Sequence, residues 1–331
     1  MYTMGKQSKD AGLVLSGLLE IIGNFSGKGN VFLDDNTDNA VSGTDAVSNP
    51  CNFMRANESV PAEFFEAFGI RSVSLNAFTN DLKFSDETVN NSDTENKAVW
   101  KWHDIKNSAM VEELSNLFKG CRIIPFTNWS NVYSASDLWY GLLSDVIKPL
   151  NKKDFEFIFY LGDPTRRRVF EVDEILDIIS EFSHYGRVTF VMDENEAMKL
   201  WGLLYGQNPD IDLSALTVYE IRAKYLAIFN TVNIENLVVY STDQAMLFSK
   251  KEHFEITRRK PVHIKTTSDL RDSFCAGYGL GLQKQLDIPL CIGLGITVSG
   301  AYSESGNVPD KNELLAYIHR WAVELEASKT E

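Results

Sequence analysis

From Val111 onward the sequence alternates between amphipathic helical stretches and short apolar runs, and that rhythm leaves few folds open. The patterning predicts helix Val111–Phe118 before strand Cys121–Phe126, and helix Ala135–Ile147 before strand Phe155–Leu161. Helix Val172–Phe182 then precedes strand Val188–Val191. Helix Glu194–Leu204 follows at once, and helix Ala215–Phe229 leads to strand Leu237–Tyr240. Strands separated by helices of this length pair in parallel, because each crossover must return the chain to the same sheet edge. The fold class expected is α/β, a doubly wound, mostly parallel sheet with helices on both faces.

The flanking segments fit around that core. Asn30–Leu33 reads as the first strand, and the acidic run Asp34-Asp35-Asn36-Thr37-Asp38 follows it, as at the carboxyl edge of a parallel sheet. Val60–Phe68 reads as a helix, with Pro61 near its start and Gly69 just past its end. Residues 81–96, rich in Asp, Asn, Ser and Thr, read as a loop or the edge of a small subdomain where Trp100 and Trp102 pack. Val262–Ile264 reads as a late strand, and Asp272–Lys284, Cys291–Ser299 and Lys311–Leu325 as closing helices. Ala11–Ile22 reads as an amphipathic surface helix, too short to span a bilayer. The organisation expected is a helical extension over residues 1–29 and one α/β domain over residues 30–331, with a lid insertion around residues 53–102.

Charge narrows the function. The formal net charge is −14, which argues against nucleic acid as a partner while leaving room for an anionic ligand held by a few local basic groups. The four cysteines show no metal-ligand spacing, and Cys275 and Cys291 sit in apolar surroundings as small core residues. Reduced thiols of this kind point to the cytoplasm. The run Arg166-Arg167-Arg168 at a strand's carboxyl end is either an anion contact, Arg167 foremost, or a solvated helix start. The triplet Arg258-Arg259-Lys260 reads as a surface loop, and Trp129 as a packing residue at the end of a buried strand.

Thr266–Leu282 is the most informative stretch. Asp272 opens a helix there, as a cap or as a general base beside the helix's partial positive charge. The segment resembles the signature of the ribokinase-like (PfkB) carbohydrate kinases, Asp-Thr-x-Gly-Ala-Gly-Asp-x-Phe-x-Ala-Gly, with Thr267, Asp272, Phe274, Ala276 and Gly277 in matching places. The likeness continues in the family's order. Leu161-Gly-Asp-Pro-Thr-Arg-Arg167 resembles its Asp-Pro strand end, and Met192-Asp-Glu-Asn-Glu196 its Asn-x-x-Glu motif. Leu237–Ala245 resembles the nucleotide-side strand and turn, and Ser299–Leu315 the penultimate helix, Pro turn and last helix. Asp34, Asp38 and Asn57 fall where the family binds sugar.

This resemblance implies a ribokinase-like fold with a small, reduced lid and a PfkB-type kinase that moves the ATP γ-phosphate to a sugar hydroxyl. Asp272 would be the base. Asp193 and Glu196 would organise Mg2+ and phosphate, and Asp34, Asp38 and Asn57 would hold a sugar or polyol. In the family the lid often pairs two subunits, so a homodimer is an open expectation. The sequence also departs from the pattern. Asp269, Leu270 and Arg271 replace the Gly-Ala-Gly of the anion hole, Thr266 replaces the leading Asp, and Asp193 replaces the Asn. Arg55-Ala56 stands for Gly-Gly, and Ser241-Thr242 lacks the usual turn glycine. Glycine there lets the backbone approach phosphate closely. A charge such as that of Asp269 opposes phosphate by roughly 1–4 kcal/mol at a few ångströms. The alternative is therefore a catalytically inactive sugar- or nucleotide-binding pseudokinase of the same fold.

Overall fold

The computed structural model describes residues 11–24, 30–33, 64–65, 67–68, 71–74, 101–127, 129–131, 134–211, 213–241, 244–259, 264 and 270–328. Its centre is an eight-stranded sheet of β1 (Asn30–Leu33), β2 (Arg71–Ser74), β3 (Ile123–Phe126), β4 (Phe155–Phe159), β5 (Gly186–Asp193), β6 (Asn236–Tyr240), β7 (Gln244–Ser249) and β8 (His253–Thr257). The order across the sheet is β2-β1-β3-β4-β5-β6-β7-β8. Every pair from β2 to β6 is parallel, and β6–β7 and β7–β8 are antiparallel. The mostly parallel α/β sheet expected from the sequence is present.

Nine helices used below flank it: α1 (Ala11–Gly23), α2 (Ser108–Gly120), α3 (Ala135–Gly141), α4 (Val169–Phe182), α5 (Glu194–Leu204), α6 (Val218–Thr231), α7 (Leu270–Gln283), α8 (Ile288–Ser305) and α9 (Lys311–Ser328). They divide between the sheet's two faces, and the strands record the division residue by residue. Phe155, Phe157 and Phe159 of β4 join one apolar cluster, and Ile158 and Tyr160 join the other. In β6, Leu237 and Val239 point one way, and Val238 and Tyr240 the other. A period of two with both phases apolar is the mark of a strand covered on both sides. One cluster draws on α2 to α6, and the other on α1 and α7 to α9.

Helices α7 and α8 lie against each other closely enough that side chains are excluded at the contact. A Cβ on Gly277 would come within 2.7 Å of the Leu294 carbonyl oxygen and 2.9 Å of Gly295 Cα. The glycine that matches the end of the kinase signature thus has a packing reason to be there. Helix α8 ends at Gly306, whose φ of 72° is the left-handed cap.

Several expectations change. Arg71–Ser74, within the range assigned to the lid, is instead the edge strand β2, paired parallel with β1, and Phe64, Phe65 and Phe68 are buried in the α7–α9 cluster. The rest of the lid lies outside the described residues, as does Val262–His263 of the late strand; Ile264 is not in a strand. The hairpin β7–β8 takes over the sheet edge. Trp102 is buried on α3 rather than in a subdomain: its backbone N–H bonds Asp137 and its indole N–H donates to Asp145 Oδ2 at 2.6 Å. Arg258 and Arg259 are buried, not on a surface loop. Arg258 bonds the Gly300 carbonyl and the Ser303 hydroxyl of α8, and Arg259 pairs with Glu304 and Glu324. Guanidinium groups tolerate such burial when their donors are matched. Helix α1 buries Val14, Leu15, Leu18 and Ile22 in the same cluster as α8 and α9. Cys275 and Cys291 are buried free thiols, as expected. Among the described residues no helix is long and apolar enough to cross a membrane.

Candidate active site at the carboxyl edge of the sheet

Three consecutive parallel strands deliver residues to one edge. Tyr160 follows β4, Asp193 ends β5, and Tyr240 and Ser241 lie at the end of β6. Helix α7 begins opposite them with Leu270, Arg271 and Asp272. Together with Glu194, Asn195, Arg258 and Ser299 the latter residues line a cleft of about 500 Å3. Parallel α/β sheets bind ligands at this edge, where loops and helix N-termini converge.

The local sequence explains the geometry. Asp193 caps α5 through its side chain, accepting from Glu196 N at 2.8 Å, while Glu196 Oε2 accepts from Asp193 N at 3.1 Å. This reciprocal capping box fixes both carboxylates at the strand end. Across the cleft, Arg271 pairs with Glu196 Oε1 and lies 3.7 Å from Asp193 Oδ2. Its guanidinium sits 5.5 Å from the Tyr160 ring centroid, and Tyr240 lines the same cleft. The Tyr160 hydroxyl, buried, donates to Asp272 Oδ1 at 3.0 Å. The Tyr240 ring stacks on Phe274 at 4.9 Å, so the signature's aromatic holds the strand end against α7.

The charges are strongly perturbed. Burial pushes Glu196 up to about 7; Arg271 opposes that rise and the neighbouring Asp193 carboxylate adds to it. Burial works against the charged form of Arg271, but Glu196 and the two tyrosines leave its pKa above the ordinary value. Burial, then the charge of Asp272, holds the Tyr160 hydroxyl protonated well beyond the usual range. Perturbed groups of opposite sign gathered in a cleft are the physical mark of a functional site.

The structure therefore brings together Asp193, Glu196, Leu270, Arg271 and Asp272. Asp34, Asp38, Asn57 and Asp269 lie outside the described residues. Arg167 is placed elsewhere: it donates to the Trp129 and Ser130 carbonyls at 3.0 and 3.2 Å, stacks over the Trp129 ring, and pairs with Glu171 at 3.4 Å. Trp129 is buried at the strand end, as expected. Sequence reasoning missed Tyr160, Tyr240, Arg258 and Ser299. The two tyrosines carried a signal, since Tyr240 is the last residue of β6 and Tyr160 directly follows β4. Arg258 follows β8, which the pattern did not reveal.

The pair assigned to Mg2+ does not fit a metal ion as it stands. Each carboxylate uses one oxygen in the capping box, and the other oxygen faces a guanidinium. Among the described residues no group of three or more His, Cys, Asp or Glu side chains could hold a metal.

An acid, a guanidinium and a helix N-terminus converging at the carboxyl edge of a mostly parallel sheet define an α/β protein with a charged cleft at that edge. Residues 40–321 match the family model of the prokaryotic ketohexokinases (Khk), and the chain belongs to that family. Comparison with curated proteins gives no match. Similar solved structures include a ribokinase from Thermotoga maritima, 15% identical with a TM-score of 0.43, the match covering 62% of this chain and 59% of that one. An Arabidopsis thaliana ribokinase complexed with ribose and ATP is 13% identical with a TM-score of 0.46, covering 64% and 59%. An adenosine kinase from Sinorhizobium meliloti is 15% identical with a TM-score of 0.46, covering 67% and 58%. The chain spans about three-fifths of the length of these structures. The kinase resemblance read from the ordered motifs agrees with the family.

Proposed function

We propose that the chain is a sugar kinase that transfers the γ-phosphate of ATP to a sugar hydroxyl in the cleft at the start of α7. The observation that carries this is the placement of Asp272. It stands in the first turn of a 14-residue helix, lines the cleft, and is oriented by Tyr160. A carboxylate so placed accepts the proton of an attacking hydroxyl while the helix N-terminus favours the phosphate's negative charge. Arg271 and Arg258 line the same cleft and supply positive charge near transferring oxygens. The family's name makes a ketohexose the first acceptor to test, with Asp34, Asp38 and Asn57 as the proposed sugar contacts.

A second reading keeps binding without turnover. Leu270 and Arg271 put larger side chains where the signature has alanine and glycine, and Arg271 is engaged with Glu196 rather than standing open to phosphate. Calorimetric titration with ATP–Mg2+ across a panel of ketoses and other sugars, followed by a coupled turnover assay, separates the two. The kinase reading expects nucleotide binding tightened by one sugar. It also expects turnover that drops at least about 100-fold in Asp272→Asn. Sugar binding with no nucleotide binding under any condition would favour the second reading.

A further inference from the structure

The cleft already holds a cation of its own. Glu196 Oε1 and Asp193 Oδ2, the oxygens left over from the capping box, both face the same Arg271 nitrogen. The guanidinium is braced by the Tyr160 ring behind it. A guanidinium is planar, weakly hydrated and permanently charged, so it can sit on carboxylates in a half-buried cleft where a small hydrated ion could not. A divalent ion brought to the same oxygens would meet a fixed positive charge within a few ångströms, and repulsion there is large in a partly dry site. The glycine that the signature places at position 271 could make no such contact.

We propose that Arg271 is a built-in counter-cation: it occupies the position on Asp193 and Glu196 that a divalent ion would otherwise take, and its removal opens a divalent-cation site. The inference concerns the same cleft as the kinase reading but needs neither turnover nor nucleotide. It changes what the site asks of its ligand, because phosphate then meets an arginine held by two acids rather than a metal held by them.

The test is titration of the protein with Mn2+ alone at about pH 8, read by the paramagnetic resonance of free Mn2+. Arg271→Ala should bind Mn2+ at least about tenfold more tightly than the unaltered protein, and adding Glu196→Gln should remove that gain. Arg271→Lys, which restores a cation, should behave like the unaltered protein. Should Arg271→Ala fail to fold by circular dichroism, Arg271→Gln reads the same effect with more of the side chain kept. The proposal is overturned if the unaltered protein binds Mn2+ and loses it on Glu196→Gln, or if a folded Arg271→Ala or Arg271→Gln variant binds no better than the original. No nucleotide or sugar is present, so a failed kinase assay leaves this result standing, and a failed Mn2+ result leaves the kinase reading standing.

Discussion

The Tyr160 hydroxyl donates to Asp272 Oδ1 at 3.0 Å, joining the end of β4 to the first turn of α7 across 112 positions of sequence. Tyr160 touches the would-be base rather than the substrate, so it is a positioning residue. Tyr160→Phe keeps the ring beneath Arg271 and deletes only the hydroxyl. It should cost about 1 kcal/mol of stability by chemical denaturation and lower kcat about tenfold with KM little changed. An equal loss in KM alone would mean that the hydroxyl serves binding instead.

Glu196 should make the fold less stable as pH rises. Its folded pKa, lifted to about 7 chiefly by burial, lies above the ordinary 4.5 of a free glutamate. Between those values the folded state holds a proton that the unfolded state has released, so stability falls through that window and levels off above it. The full difference is about 3 kcal/mol by linkage. Glu196→Gln should flatten this part of the stability–pH curve, as measured by urea unfolding at several pH values.

Gly277→Ala should destabilise the protein by about 1–3 kcal/mol through overpacking, with α7 displaced from α8 because the Leu294 carbonyl cannot move aside. A melting curve unchanged from the original would show that the two helices can separate freely.

Arg167→Ala should lower stability by about 1–3 kcal/mol, since it leaves the Trp129 and Ser130 carbonyls without their donor. Ligand affinity should stay within about twofold. A large loss of nucleotide affinity at unchanged stability would return this residue to the phosphate.

The architecture was readable because helix and strand periods differ and alternate. β5, α5 and β6 were located to within a few residues, and α5 was read to its first and last residue. The hairpin β7–β8 was missed although its pattern is that of strands, an apolar run at Ala245–Phe248 and a polar–apolar alternation at His253–Thr257. β2 escaped because four residues, Arg71–Ser74, carry too little pattern. At the site, Asp193, Glu196 and Asp272 could be found from motifs that depend on local spacing. The bond between Arg271 and Glu196 could not, for it joins residues 75 positions apart that meet only when α7 docks against the end of β5. The burial of Arg258 likewise depends on α8, whose carbonyl and hydroxyl partners no local pattern announces.

Helix α1 packs its apolar stripe against α8 and α9, with Lys311 of α9 donating to the Gly23 carbonyl at 2.9 Å. During synthesis α1 emerges well before these partners, since Gly23 and Lys311 lie 288 positions apart. Until α8 and α9 follow it, Val14, Leu15, Leu18 and Ile22 lack the native surface that covers them. Folding of this half of the core therefore waits on a contact distant in sequence, and such a nascent chain is a natural client for chaperones.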